Sequence, residues 1–116
     1  MIIKNLTKNV IIGKNAEFCT SSFSKARGLM FSKKPKILIF IFKKEKIVPL
    51  HMFFVFFPID ALFLDKRKRI IEIKDNFMPF KYYKPKNKSM YIIELPAGAI
   101  KKTKTQIKDK ISFSKR

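Results

Sequence analysis

Cysteine is nearly absent from this chain. Cys19 is the only one, so no intrachain disulfide can form, and a disulfide-stapled secreted scaffold is excluded. His51 is the only histidine. One His and one Cys cannot furnish the three or four ligands of a zinc site, so no metal is expected. Glycine is scarce, at three residues. Gly28 and Gly98 stand alone, outside any G-x-G-x-x-G or G-K-S/T pattern, so no nucleotide cradle and no cofactor are expected. The chain also lacks a long uninterrupted apolar run. Val48 to Leu64 comes nearest, but it contains His51, Pro58 and Asp60 and falls short of the ~20 residues a helical span needs. The start, Met1-Ile2-Ile3-Lys4-Asn5, has no apolar stretch leading to a small-residue cleavage site. The expectation is a soluble, cytoplasmic protein that is not embedded in a membrane.

What is present is a genuine core. Of 116 residues, 47% are apolar and 14% aromatic, including 13 Phe; a disordered basic tail would be poor in both. This length is one domain, residues 1–116, and needs no covalent staple to fold. Acidic residues number 8 against 27 basic ones, for a net charge of +19. Such a charge points to an anionic partner: nucleic acid, a membrane surface or an acidic protein. All but four of the basic residues are Lys, whereas built phosphate sites favour the bidentate fork of Arg. Lys, Asn, Ile and Phe share A/T-rich codons, so compositional drift competes with selection for binding.

The segment pattern is strand-rich. Val10–Ile12 and Ala16–Phe18 read as strand pieces about a turn at Gly13–Asn15. The Ser/Thr cluster from Thr20 can cap a short helix that ends at Gly28. Ile37–Phe42 reads as a strand buried on both faces, stopped by a charged turn at Lys43–Lys46. Val48–Phe57 and Ile59–Leu64 read as strands parted by Pro58. Asp65–Lys68 is a hairpin turn, Arg69–Phe77 the return strand with Glu72 and Lys74 on one face, and Met78–Lys88 a loop. Ser89–Leu95 is a strand, Pro96–Lys102 a short helix with Pro96 in its first turn, and Lys110–Phe113 a last strand. The fold expected is mainly β (α+β minor), a compact β-barrel or sandwich-like single domain with two short helices.

Three segments then fall in a recognisable order: Arg27-Gly28-Leu29-Met30-Phe31, Pro58-Ile59-Asp60-Ala61-Leu62-Phe63-Leu64-Asp65, and Tyr91-Ile92-Ile93-Glu94-Leu95-Pro96-Ala97-Gly98. Together they resemble the archaeal and bacterial family of domain of unknown function 192, over roughly residues 24–114. Where many relatives carry Trp-Met-Lys-Asn, this chain has His51-Met52-Phe53-Phe54, so the polar pair is missing. The closing turn, Lys104–Asp109, keeps only Asp109 of the family's glycine-containing pattern. The resemblance implies a compact β-rich fold and carries no activity with it.

The candidate catalytic or ligand-binding side chains are Asp60, Glu94, Arg27 and His51. Asp60, in an apolar run, must be hydrogen-bonded, paired or shifted in pKa if buried. It reads first as a carboxylate accepting backbone N–H groups after Pro58. Glu94 reads as an ion-pair partner of Arg27, or with Asp60 as an acid–base pair. His51 reads as a core-edge residue in place of the relatives' aromatic, and Cys19 as a buried thiol. Lys81, Tyr82, Tyr83, Lys84, Lys86 and Lys88 interleave cations with rings as single-stranded nucleic-acid sites do. Lys101, Lys102 and Lys104 extend that set. The reading favoured is a non-enzymatic binding or interaction domain of unknown ligand. Its alternatives are a polyanion binder (RNA, DNA or an acidic protein) and a hydrolase-like enzyme using Asp60 and Glu94.

Overall fold

The computed structural model describes residues 1–21 and 27–114. Ten strands are formed among them: β1 (Ile2–Asn5), β2 (Val10–Gly13), β3 (Glu17–Cys19), β4 (Leu38–Lys46), β5 (Leu50–His51), β6 (Ile59–Leu64), β7 (Ile70–Phe77), β8 (Tyr82–Tyr83), β9 (Ser89–Pro96) and β10 (Ile111–Ser114). One helix, α1 (Ala99–Thr103), joins them. The strands make an open five-stranded sheet, β3-β4-β9-β6-β7, a three-stranded sheet, β10-β1-β2, and a two-stranded ladder, β5-β8.

The five-stranded sheet divides the interior into two apolar layers, because successive side chains of a strand face opposite ways. On β6, Ile59, Ala61 and Phe63 enter the first layer with Phe40 and Ile92, while Leu62 and Leu64 enter the second with Ile39 and Ile93. β6 is buried along its whole length, as a strand covered on both faces must be. The three-stranded sheet and α1 cover the second layer through Ile3, Ile111 and Ile100. The β5-β8 ladder and the loops beside it cover the first through Leu50, Met52, Val55 and Tyr83.

The mainly β expectation holds, but a barrel does not form: β3 and β7 end the large sheet as unpaired edges. Of the two short helices expected, the second exists. The first centres on residues 22–26, which lie outside the described residues. Four local readings need correction. Lys43–Lys46 is no turn; β4 runs through it, Lys46 pairs with Ser89, and its Nζ lies 4.9 Å over the Phe42 ring. Val48–Phe57 is mostly not a strand. Leu50 and Met52 are buried two apart, but the next buried residue, Val55, comes three later, and Val55 N–H closes a turn on Met52 O at 3.2 Å. The Met78–Lys88 loop contains β8, which pairs with β5. Pro96 ends β9 opposite Ile59 rather than opening α1, which starts after Gly98 at a φ of 95°.

Candidate functional site

Asp60 is a structural keystone. Its carboxylate is buried and accepts backbone N–H groups from Asn76 (2.9 Å), Gly98 (3.0 Å) and Ile100 (3.0 Å). It ties β7 to β6 and caps α1, which has no side-chain cap of its own. A buried carboxylate satisfied by backbone donors needs no counter-cation.

Glu94 occupies the other face of the same sheet. Asp60 pairs with Leu95 and Ala61 with Glu94 across β6 and β9, so Asp60 shares a face with Leu95, and Glu94 shares one with Ala61 and Ile92. The acid–base pair of Asp60 and Glu94 therefore does not form; the sheet stands between them. The expected ion pair with Arg27 is not made either. Among the described residues the Glu94 carboxyl has no hydrogen bond or salt bridge, although it is only 7% exposed. Burial pushes its pKa up, to about 7, because taking the charged form out of water is costly.

Glu94, Arg27 and His51 nevertheless line one cavity of about 90 Å³. Its walls are Leu29, Phe40, Met52 and other apolar side chains. Arg27 and His51 are exposed and stand where it meets solvent. His51 is thus not a core-edge residue. Its Nδ1 accepts the Phe53 N–H at 3.2 Å, and its ring stacks on Phe53 with centroids 5.2 Å apart. Three of the four candidates are brought together, and Asp60 is excluded. Among the described residues no group of three His, Cys, Asp or Glu side chains gathers as a metal site would.

The Lys/Tyr set is split. Tyr82 is exposed, but the Tyr83 ring packs against Phe63 and Phe77. Its hydroxyl donates to Glu72 in a short hydrogen bond. Glu72 Oε1 also accepts the backbone N–H of Lys86, the backbone N–H of Asn87 and the Asn87 side-chain amide, each at 3.0 Å. Burial alone would raise Glu72; these donors outweigh it and hold the carboxyl below its ordinary value. Tyr83 moves the other way, to about 12, through burial and the Glu72 hydrogen bond and charge. Lys81, Lys84, Lys86 and Lys88 thus ride on a loop clamped over the first layer. Lys101, Lys102 and Lys104 belong to α1 and its end over the second layer. Glu72 was not picked out in the sequence; a carboxylate among the inward positions of an Ile-rich strand was the available signal.

A mainly β fold, in which a central five-stranded sheet is covered on one face by a three-stranded sheet and carries a small, mostly apolar cavity on the other, defines the class. Residues 3–113 match the family of domain of unknown function 192, described as "Uncharacterized ACR". The chain belongs to that family, and the match extends the resemblance back through β1. It is 33% identical over 114 residues to UPF0127 protein PH1112 of Pyrococcus horikoshii, covering 97% of this chain and 98% of that one. It is 32% identical over 112 residues to a UPF0127 protein of Thermococcus sibiricus, covering 94% and 72%. A solved structure of a protein of unknown function from Novosphingobium aromaticivorans superposes with a TM-score of 0.85 at 18% identity, over 97% of this chain and 82% of the other. A chain from Sinorhizobium meliloti gives 0.85 at 20% identity, over 96% and 89%. These likenesses establish the fold. Among the described residues no helix is long and apolar enough to cross a membrane.

Proposed function

We propose that this chain is a binding module whose cavity takes a short apolar group ending in a hydrogen-bond donor or a cation. The observation that carries the reading is Glu94: a residue more than nine-tenths buried, its carboxyl without a partner among the described residues and set in the wall of a mostly apolar cavity. A buried polar group without a partner is costly, on the order of 1–3 kcal/mol, and a donor entering the cavity would remove that cost. The volume limits what enters. About 90 Å³ is well below the ~300 Å³ or more of a pocket for a drug-sized molecule. A side-chain end or a short alkyl terminus suits that space. The separation of Asp60 from Glu94 removes the two-carboxylate arrangement on which a hydrolase reading rested.

The test uses n-butylamine, 1-butanol and butyrate as probes, followed through the methyl resonances of Met30 and Met52, which line the cavity. Above pH 7 the ammonium should bind best, the alcohol less well and the carboxylate least, and Glu94→Gln should abolish that preference. Equal binding of ammonium and carboxylate, or unmoved methyls, would refute the reading.

A further inference from the structure

Five phenylalanines stand in solvent at one place: Phe31, Phe53, Phe54, Phe56 and Phe80 are each 46–60% exposed. They come from three segments, yet four of the rings, Phe31, Phe54, Phe56 and Phe80, are joined. Phe31 stacks on Phe54 with centroids 5.0 Å apart, and Phe80 meets Phe54 at 6.0 Å and Phe56 at 5.8 Å. The backbone locks them in place: Phe31 N–H donates to Phe54 O at 2.8 Å, and Phe80 N–H to Met52 O at 2.7 Å. Phe31, Phe54 and Phe80 all have positive φ, at 62°, 58° and 62°. Bulky side chains avoid that region, so strained backbone is maintained at three rings that it leaves facing water. At roughly 150–250 Å² per ring, the cluster offers several hundred Å² of apolar surface. That is at or above the largest patch of an ordinary monomer, ~300–600 Å².

The surroundings say what covers it. Segments 27–36, 47–58 and 75–84, which carry the rings, also carry Arg27, Lys33, Lys34, Lys36, Lys81 and Lys84, all exposed, against Asp75 as their one acid. An apolar patch carried on segments so rich in exposed cations complements a partner that is anionic at its surface and apolar just beneath. We infer that this face docks on an anionic lipid bilayer, with the phenylalanines entering the interface and the lysines meeting the head groups. A second copy of the chain is disfavoured by the net charge of +19 on each. Single-stranded nucleic acid needs open ring faces, and here Phe31 and Phe54 cover one another. This inference does not rest on the cavity reading, since it requires no ligand at Glu94.

The experiment is co-sedimentation with vesicles of phosphatidylcholine containing phosphatidylglycerol, and with phosphatidylcholine alone. Binding should favour the anionic vesicles by about tenfold or more and weaken with added salt. The double variant Phe54→Ser/Phe80→Ser should lose at least about tenfold in that binding while its circular dichroism is unchanged. Lys33→Gln/Lys34→Gln/Lys81→Gln, which touches no ring, should also weaken it. Because the chain has no tryptophan, the emission of Phe54→Trp should shift to the blue with anionic vesicles. Undiminished binding by the serine variant, an unmoved emission, or a response to single-stranded RNA in place of vesicles would overturn the inference.

Discussion

Glu94 makes the stability of this domain depend on pH in an unusual direction. Its pKa rises from an ordinary 4.5 to about 7 on folding, through burial. Below pH 4.5 the carboxyl is neutral in folded and unfolded chains alike and adds no penalty. Between 4.5 and 7 the unfolded chain loses the proton while the folded one keeps it, so stability falls as pH rises. Above 7 both forms are ionised and the loss levels off. At roughly 1.4 kcal/mol per pH unit, the full loss is about 3 kcal/mol, a large part of the ~5–15 kcal/mol that a domain commands. Glu94→Gln keeps the shape and removes the titration. Urea unfolding of both proteins at half-unit steps from pH 4.5 to 8.5 should show the variant gaining on the wild type by about 3 kcal/mol across this window, with other groups cancelling in the difference. Parallel profiles would refute the argument that burial raises the Glu94 pKa on folding.

On the acid side the sign reverses. The Asp109 carboxylate would be raised by burial, but Asn5 Nδ2 (2.8 Å), the Gln106 N–H (2.9 Å) and Lys8 Nζ (3.0 Å) hold it below its ordinary 3.8. Its contribution is present above pH 3.8 and lost as pH falls through the lower folded value, so Asp109→Asn should flatten the acid limb of the unfolding profile. Asp60→Ala should cost on the order of 4 kcal/mol in urea unfolding, because three backbone N–H groups lose their acceptor; a cost under 1 kcal/mol would contradict its structural role. Glu72→Gln should lower hydrogen-exchange protection at Lys86 and Asn87 while leaving β6 unaffected. Cys19, buried in β3, should resist thiol reagents until urea unfolds the chain.

Much of the sheet was legible because its signals are local. Ile37–Phe42, Ile59–Leu64 and Ser89–Leu95 are apolar runs of strand length, and Asp65–Lys68 is a turn in which Lys68 N–H meets Asp65 O at 2.9 Å. Val48–Phe57 misled because hydrophobicity does not say which way a ring points. Phe53, Phe54 and Phe56 look like core residues and lie outside it. Period alone also failed on β7, where a register shift opposite Phe63 and Leu64 breaks the alternation, so that Ile71 and Ile73, two apart, pack into different layers. The candidate site was half legible. Asp60, Glu94, Arg27 and His51 stood out as polar residues in apolar company. Their grouping depended on the strand order β4-β9-β6, a non-local property that decides which carboxylate shares a face with which. The clamp of Glu72 on Lys86 and Asn87 has the same origin, since its partners lie 14 and 15 residues on.

The central claim, a buried carboxyl without a partner among the described residues and waiting in a mostly apolar cavity, is tested most directly by a carbon-13 NMR titration of the Glu94 carboxyl with and without n-butylamine. The account predicts a midpoint near 7 that falls when the ammonium binds, since a nearby cation favours the charged form. A midpoint at the ordinary 4.5, unmoved by the amine, would contradict it.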